Sequence, residues 1–123
     1  MERISSPEEL YNRAWLLHKA GHYRDAIGFL ENSLTIAEHY KSCELLAICY
    51  REIGEIEIAI EYLERAYKLN EKSSKTACLL AQHLLTVGEI YRSKIIVEKV
   101  LKNHHGYGPA IRILEQLAKL AGR

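Results

Sequence analysis

Histidine and cysteine are the side chains of this sequence whose chemistry could serve a metal or a nucleophilic reaction, and their spacing argues against both. His18 and His22 stand four apart, the interval at which two imidazoles on one helix face share a zinc ion, but Gly21 lies between them and ends the helix that would carry them. His104 and His105 are adjacent and do not converge easily on one tetrahedral metal; beside Gly106 they read as ordinary turn composition. No HExxH stretch, paired-cysteine motif or cysteine–histidine–acid set occurs. The three cysteines, Cys43, Cys49 and Cys78, are odd in number, and the first two, six residues apart, fall on different faces of a helix. A disulfide framework is not expected, and each thiol reads as small apolar packing. The sequence therefore predicts no enzyme, no cofactor and no metal site.

Composition narrows the remaining classes. Seventeen basic and sixteen acidic residues leave a formal net charge of +1 with no block of like charge, whereas a nucleic-acid binder would carry a basic stripe. Hydrophobic residues make up 48% of the 123, enough for one domain with a core and within the ordinary range for a soluble chain. No apolar run approaches the roughly 20 residues of a membrane-spanning helix. The stretch Met1 to Ser6 lacks the apolar middle of a signal peptide, so the expected compartment is the cytoplasm, with no membrane partner.

Apolar periodicity supplies the elements. Ser6-Pro7-Glu8-Glu9 has the form of a capping box, and from Pro7 to about Ala20 the residues Leu10, Ala14, Leu17 and Ala20 form one stripe before Gly21. A second helix runs from Tyr23 to about Ala37 with Ala26, Ile27, Leu30, Leu34 and Ala37 inward. The third, about Lys41 to Ile53, carries Cys43, Leu46, Ala47 and Tyr50, and the fourth, about Ile56 to Leu69, carries Ala59, Ile60, Leu63 and Ala66. Ser73 or Ser74 caps the fifth, with Ala77, Leu80, Ala81 and Leu84 inward; the sixth spans Ile90 to about Lys102. Pro109 opens a seventh with Ile111, Leu114, Ala118 and Ala121 on one side and Arg112, Glu115, Gln116 and Lys119 toward solvent. No strand alternation survives.

These helices are copies. Gly21, Gly54, Gly88 and Gly122 are separated by 33, 34 and 34 residues, and the string after Gly54, Glu-Ile-Glu-Ile-Ala-Ile, has loosened counterparts after Gly21 and Gly88. A fixed period of this size marks a stacked helical-hairpin repeat. Helices of three turns are too short to stand alone, so each hairpin must bury its neighbour's stripe.

The chain resembles the tetratricopeptide repeat family. The first repeat supplies Leu10, Ala14, Leu17, Gly21, Tyr23, Ala26, Leu30 and Ser33; the second, closest to the family pattern, Cys43, Leu46, Ala47, Tyr50, Gly54, Ile56, Ala59, Leu63 and Ala66; the third Ala77, Leu80, Ala81, Leu84, Gly88, Ile90, Ser93, Val97 and Val100. Small residues at Ala47 with Ala59, and at Ala81 with Ser93, mark where two helices approach closely. The family's proline near the end of each repeat is replaced by Glu38, Glu71 and His105. The resemblance implies an all-α, right-handed superhelical solenoid: one domain over 1–123, three antiparallel hairpins at about 7–39, 40–73 and 74–107, and a seventh, capping helix at about 109–121.

It also implies a function, that of a non-enzymatic adaptor or chaperone holding a partner's peptide segment on a concave surface lined by the first helix of each hairpin. On this chain that surface comprises Tyr11, Asn12, Trp15 and His18; then Lys41, Glu44, Leu45, Ile48 and Arg51; then Lys75, Cys78, Leu79, Gln82 and Leu85; and Arg112 from the last helix. Tyr11 and Trp15 lie one turn apart and off the core stripe, as an aromatic edge would, although Trp15 packed on a neighbouring helix fits the sequence equally well. Apolar Ile48, Leu79 and Leu85 beside Lys41, Arg51 and Lys75 favour a segment with apolar anchors and an acidic or carboxylate group. The family's clamp for the acidic tail of heat-shock chaperones is not expected. Tyr11 and Trp15 stand where its first lysine and asparagine would be, Leu45 and Leu79 replace later polar groups, and only Lys75 fits. Two alternatives remain: a scaffold that self-associates through the solenoid ends, and an RNA-binding helical-hairpin solenoid, which near-neutral charge disfavours.

Overall fold

The computed structural model describes residues 5–122. Among them are seven α-helices and no strand: α1 Pro7–Lys19, α2 Tyr23–Ile36, α3 Tyr40–Glu52, α4 Ile56–Leu69, α5 Ser74–Thr86, α6 Ile90–Asn103 and α7 Gly108–Ala121. They group into two compact units, Met1–Leu69 with α1 to α4 and Asn70–Arg123 with α5 to α7.

The helix starts follow from local chemistry. Ser6 Oγ accepts from the Glu9 N–H at 3.2 Å and Pro7 opens α1, satisfying one orphan donor and removing another. Between the two serines before α5 the cap is Ser73, whose Oγ accepts from the Thr76 N–H at 3.1 Å. Helix α3 begins one residue earlier than its apolar pattern predicts, because His39 caps it: Nδ1 accepts from the Lys41 N–H at 3.2 Å.

Three helix ends are built alike. After α3, Gly54 takes φ +87°, its N–H donates to the Arg51 carbonyl at 3.0 Å, and the Glu55 N–H reaches back to the Tyr50 carbonyl at 2.8 Å. This pair of bonds is the Schellman motif, which satisfies two stranded carbonyls and turns the chain into the next helix. Gly21 and Gly88 repeat it with φ +84° and +87°. At Gly54 the glycine is required by the backbone angle alone, since an added Cβ would meet nothing within 4 Å. Gly122, although in phase, keeps φ −79° and needs no such residue. Ala20 and Ala37, expected inside the stripes of α1 and α2, are instead exposed cap residues, because each helix stops one residue short of them.

In the first unit Leu10, Ala14, Ala26, Ile27, Leu30, Leu45, Leu46 and Cys49 pack into the core, and Ala59, Leu63 and Ala66 bury α4. Each fully buried leucine contributes roughly 1.5–3 kcal/mol relative to exposure. Tyr50 of α3 stacks on Tyr62 of α4 with centroids 5.7 Å apart, and Arg65 lies over Tyr62 while pairing with Glu38 at 2.6 Å. In the second unit, Ala77, Leu80, Ala81, Leu84, Val97 and Val100 are buried. There α5 and α6 approach so closely that Ser93 Oγ donates to the Ala81 carbonyl at 2.8 Å, the close approach that the small residues predict. Helix α7 corrects the sequence reading. It buries Ala110, Ile113 and Leu117, and its predicted stripe of Ile111, Leu114, Ala118 and Ala121 is exposed.

Candidate functional site

In the first unit, the starts of α1 and α3 and the turn between α2 and α3 border a half-open cavity of about 380 Å³. Tyr11 and Asn12 enter it from α1 and Lys41 from α3, so three predicted partner-binding residues line one space. Pro7, Glu8, Ala37 and His39 complete much of the wall, none of them anticipated from the repeat pattern. The signal available for His39 was its place just before a helix, where its ring caps α3 and stacks on Tyr40 at 5.0 Å. Tyr11 is half-buried; burial first, then the neighbouring Glu44 and Tyr40, push its hydroxyl above the usual phenol range. It is therefore a protonated hydrogen-bond donor at neutral pH.

One turn along α1, Trp15 is 41% exposed. Lys19 Nζ lies 5.2 Å over its ring, and His18 tilts against it at 5.3 Å between centroids. His18 also leans on Tyr23, and its buried Nδ1 makes no hydrogen bond. Along α3, Glu44 is only 7% exposed, Ile48 is half-buried, and Arg51 is exposed and pairs with the adjacent Glu52 at 3.1 Å. An exposed pair of that kind contributes little stability and leaves the guanidinium available. Leu45, counted on the surface from the sequence, is sealed in the core at 2% exposure because α1 and α2 both pack on that side of α3.

In the second unit Lys75 and Arg112 are exposed and Leu79, Gln82 and Leu85 half-buried. Gln82 of α5 donates to Gln116 of α7 at 3.3 Å. Cys78 is buried, which raises its thiol pKa; the same cause raises Cys43 and pushes Cys49 up to about 11. All three stay protonated at neutral pH and are poor nucleophiles. No group of three or more histidine, cysteine or acidic residues able to hold a metal occurs among the described residues. Nor is any helix among them long and apolar enough to cross a membrane.

Comparison with known proteins bears on the fold as a whole. Among the solved structures that share it are the first tetratricopeptide repeat domain of Spaghetti bound to the HSP90 peptide SRMEEVD, with TM-score 0.87, 16% identity, and 96% of this chain and 94% of that one covered; the Sgt2 tetratricopeptide repeat domain of Aspergillus fumigatus, with 0.82, 22%, 94% and 79%; and the type III secretion chaperone SycD of Yersinia enterocolitica with a peptide of the translocator YopD, with 0.83, 20%, 99% and 100%. A search of curated proteins finds no match. The family described as anaphase-promoting complex, cyclosome, subunit 3 matches residues 19–100, more than half of the chain. Glycine-turned helical hairpins at a constant interval are thus an all-α solenoid of known kind, and the chain belongs to this subunit 3 family as a tetratricopeptide repeat protein.

Proposed function

We propose that the protein is a cytoplasmic, non-enzymatic interaction module, an adaptor or chaperone in which all three repeats and the last helix act as one domain. Its ligand is a peptide segment of a partner protein, seated first on the α1–α3 surface of the first unit. The observation that carries this reading is the cavity of about 380 Å³ that brings Tyr11, Asn12 and Lys41 together, with exposed Trp15 one turn beyond Tyr11 on α1. A space of that size accepts an apolar anchor side chain, Trp15 extends the apolar edge, and Lys41 offers a cation to an acidic group of the same segment. Ile48 and Arg51 continue the surface along α3, with Glu44 and His18 shaping it from below. Lys75, Cys78, Gln82, Leu85 and Arg112 form a further set on the second unit. Structures of like fold holding peptides support the class of ligand.

A peptide array screened with the parent protein and with Tyr11→Ala, Trp15→Ala and Lys41→Glu variants tests the proposal. The expected result is peptides pairing an apolar residue with an acidic one, with binding lost about tenfold or more in each variant while its circular dichroism stays that of the parent. Peptide binding unchanged in all three variants would reject this surface. Trp15→Ala that unfolds the protein would assign Trp15 to packing.

A further inference from the structure

The near-neutral charge of the whole chain hides a division. Residues 1–69 hold eight basic and twelve acidic side chains, whereas residues 70–123 hold nine and four. The reversal falls on equivalent positions of the repeat. Helices α1 and α5 stand 67 positions apart, as Gly21 and Gly88 do, and α3 and α7 stand 68 apart, as Gly54 and Gly122 do. Glu8 of the first unit therefore corresponds to Lys75 of the second, and Glu44 to Arg112. Glu38, in the turn before α3, has His105 as its counterpart before α7. The fold accepts either sign at these places, so it does not by itself demand the cations of the second unit.

Further donors gather around Lys75 and Arg112. Ser74 Oγ, at the start of α5, and His104 Nδ1, at the end of α6, lie 3.3 Å apart, and the His104 ring tilts against Tyr107 at 4.8 Å between centroids. Tyr107 stands just before α7, within electrostatic reach of Cys78 and Arg112: burial first, then Cys78, raise its phenol pKa against the opposing pull of the guanidinium. It is a protonated donor at neutral pH. The Arg112 guanidinium folds back toward the start of α7, where a Cβ added to Gly108 would lie 3.7 Å from one of its nitrogens. One turn further on, the bond between Gln82 and Gln116 holds α5 to α7 beside Cys78 and Arg112. Lys75 follows Ser74 directly and sits one turn before Cys78, so it borders the same surface. Among the described residues no carboxylate pairs with Lys75 or Arg112; Glu71 and Glu115, the nearest acids along the chain, are both exposed.

Two unpaired cations, a phenol and a histidine around one surface exceed what a single carboxylate needs. They match a phosphate monoester, which carries close to two negative charges at neutral pH and three acceptor oxygens. We propose that Lys75, Arg112, Tyr107 and His104 form a phosphate subsite, and that the segment bound on the second unit is a phosphorylated peptide. The inference rests on the reading of this protein as a peptide-binding module but not on the α1–α3 cavity.

Fluorescence anisotropy with three degenerate octapeptide pools, fixed at the centre as phosphoserine, serine or glutamate, tests it. The phosphoserine pool is expected to bind about tenfold more tightly than the serine pool and about threefold more tightly than the glutamate pool. Lys75→Glu and Arg112→Glu, both at exposed positions, abolish that advantage with parent-like circular dichroism, and Arg112→Gln serves should either charge reversal not fold. Tyr107→Phe, which keeps the ring, reduces the advantage about threefold, and Tyr11→Ala leaves it intact. A phosphoserine pool no better than serine, an advantage that glutamate reproduces in full, one untouched by Lys75→Glu and Arg112→Glu, or tighter binding of a single-stranded oligoribonucleotide would overturn the proposal. Serine-pool binding without a phosphate advantage leaves the peptide-binding reading standing, whereas no binding to any pool rejects both.

Discussion

Helix α3 is buried on two sides and α7 on one, although the repeat gives them the same place and nearly the same apolar spacing. Toward the preceding hairpin they agree: Ser42, Leu45 and Cys49 in α3, and Ala110, Ile113 and Leu117 in α7, are all buried. Toward the following helix they differ, since α4 covers α3 and no described helix covers α7. A repeat unit fixes what a helix offers to its neighbours, while its stability depends on which neighbours are there.

The largest test of that difference is Leu46→Ala against Leu114→Ala. Truncating Leu46, which has no exposed surface, should cost about 2–5 kcal/mol in urea unfolding, and truncating Leu114, which is 37% exposed, about 0.5 kcal/mol or less at dilutions where the chain is monomeric. Equal losses at both positions would mean that α7 is covered in solution even by a single chain. Next comes overpacking. Ala59→Leu, at a fully buried position of α4, should destabilise by ~1–3 kcal/mol, whereas Ala118→Leu, in the open groove between α6 and α7, should leave the melting temperature of the monomer unchanged. A parent-like melt for Ala59→Leu would displace the proposed packing of α3 and α4.

Cys49 sharpens the comparison through pH, because its counterpart Leu117 cannot ionise. Burial pushes the Cys49 thiol from 9.0 up to about 11, so the unfolded chain loses this proton first and the native state binds more protons across that window. Stability should therefore be insensitive to this group below pH 9 and fall between 9 and about 11, by on the order of 1–2 kcal/mol. Cys49→Val should flatten that part of the curve; a variant with the parent's slope would show that other groups, such as the raised tyrosines, account for all of it. The glycines extend the comparison to the two helix ends. Gly54→Ala should lose about 1–2 kcal/mol because alanine is strained at φ +87°, whereas Gly122→Ala, at φ −79° with only ordinary contacts for a Cβ, should be neutral or gain up to about 1 kcal/mol. Chemical denaturation of the two variants side by side reads the difference.

Much of the fold was legible. Ser6, Gly21, Gly54 and Gly88 act through their own backbone and nearest neighbours, so the sequence names both the residue and the reason, and α4 begins and ends at the predicted residues. His39 was not legible as a cap, because an imidazole rarely serves in that role and its place just before a helix is by itself a weak signal. The candidate site was legible only in pieces. The repeat pattern singles out Tyr11, Asn12 and Lys41, but that they share one cavity with Pro7, Ala37 and His39 depends on how the α2–α3 turn folds back over α1.

The sequence by itself determined the period, the left-handed glycines, the hairpins and the family, since each follows from local backbone chemistry repeated at a constant interval. Only the tertiary structure decided that Leu45 is core, that Trp15 stands exposed, and which apolar face of α7 is buried. Periodicity records that a face is apolar. Whether that face is buried depends on a second element whose presence the face does not encode.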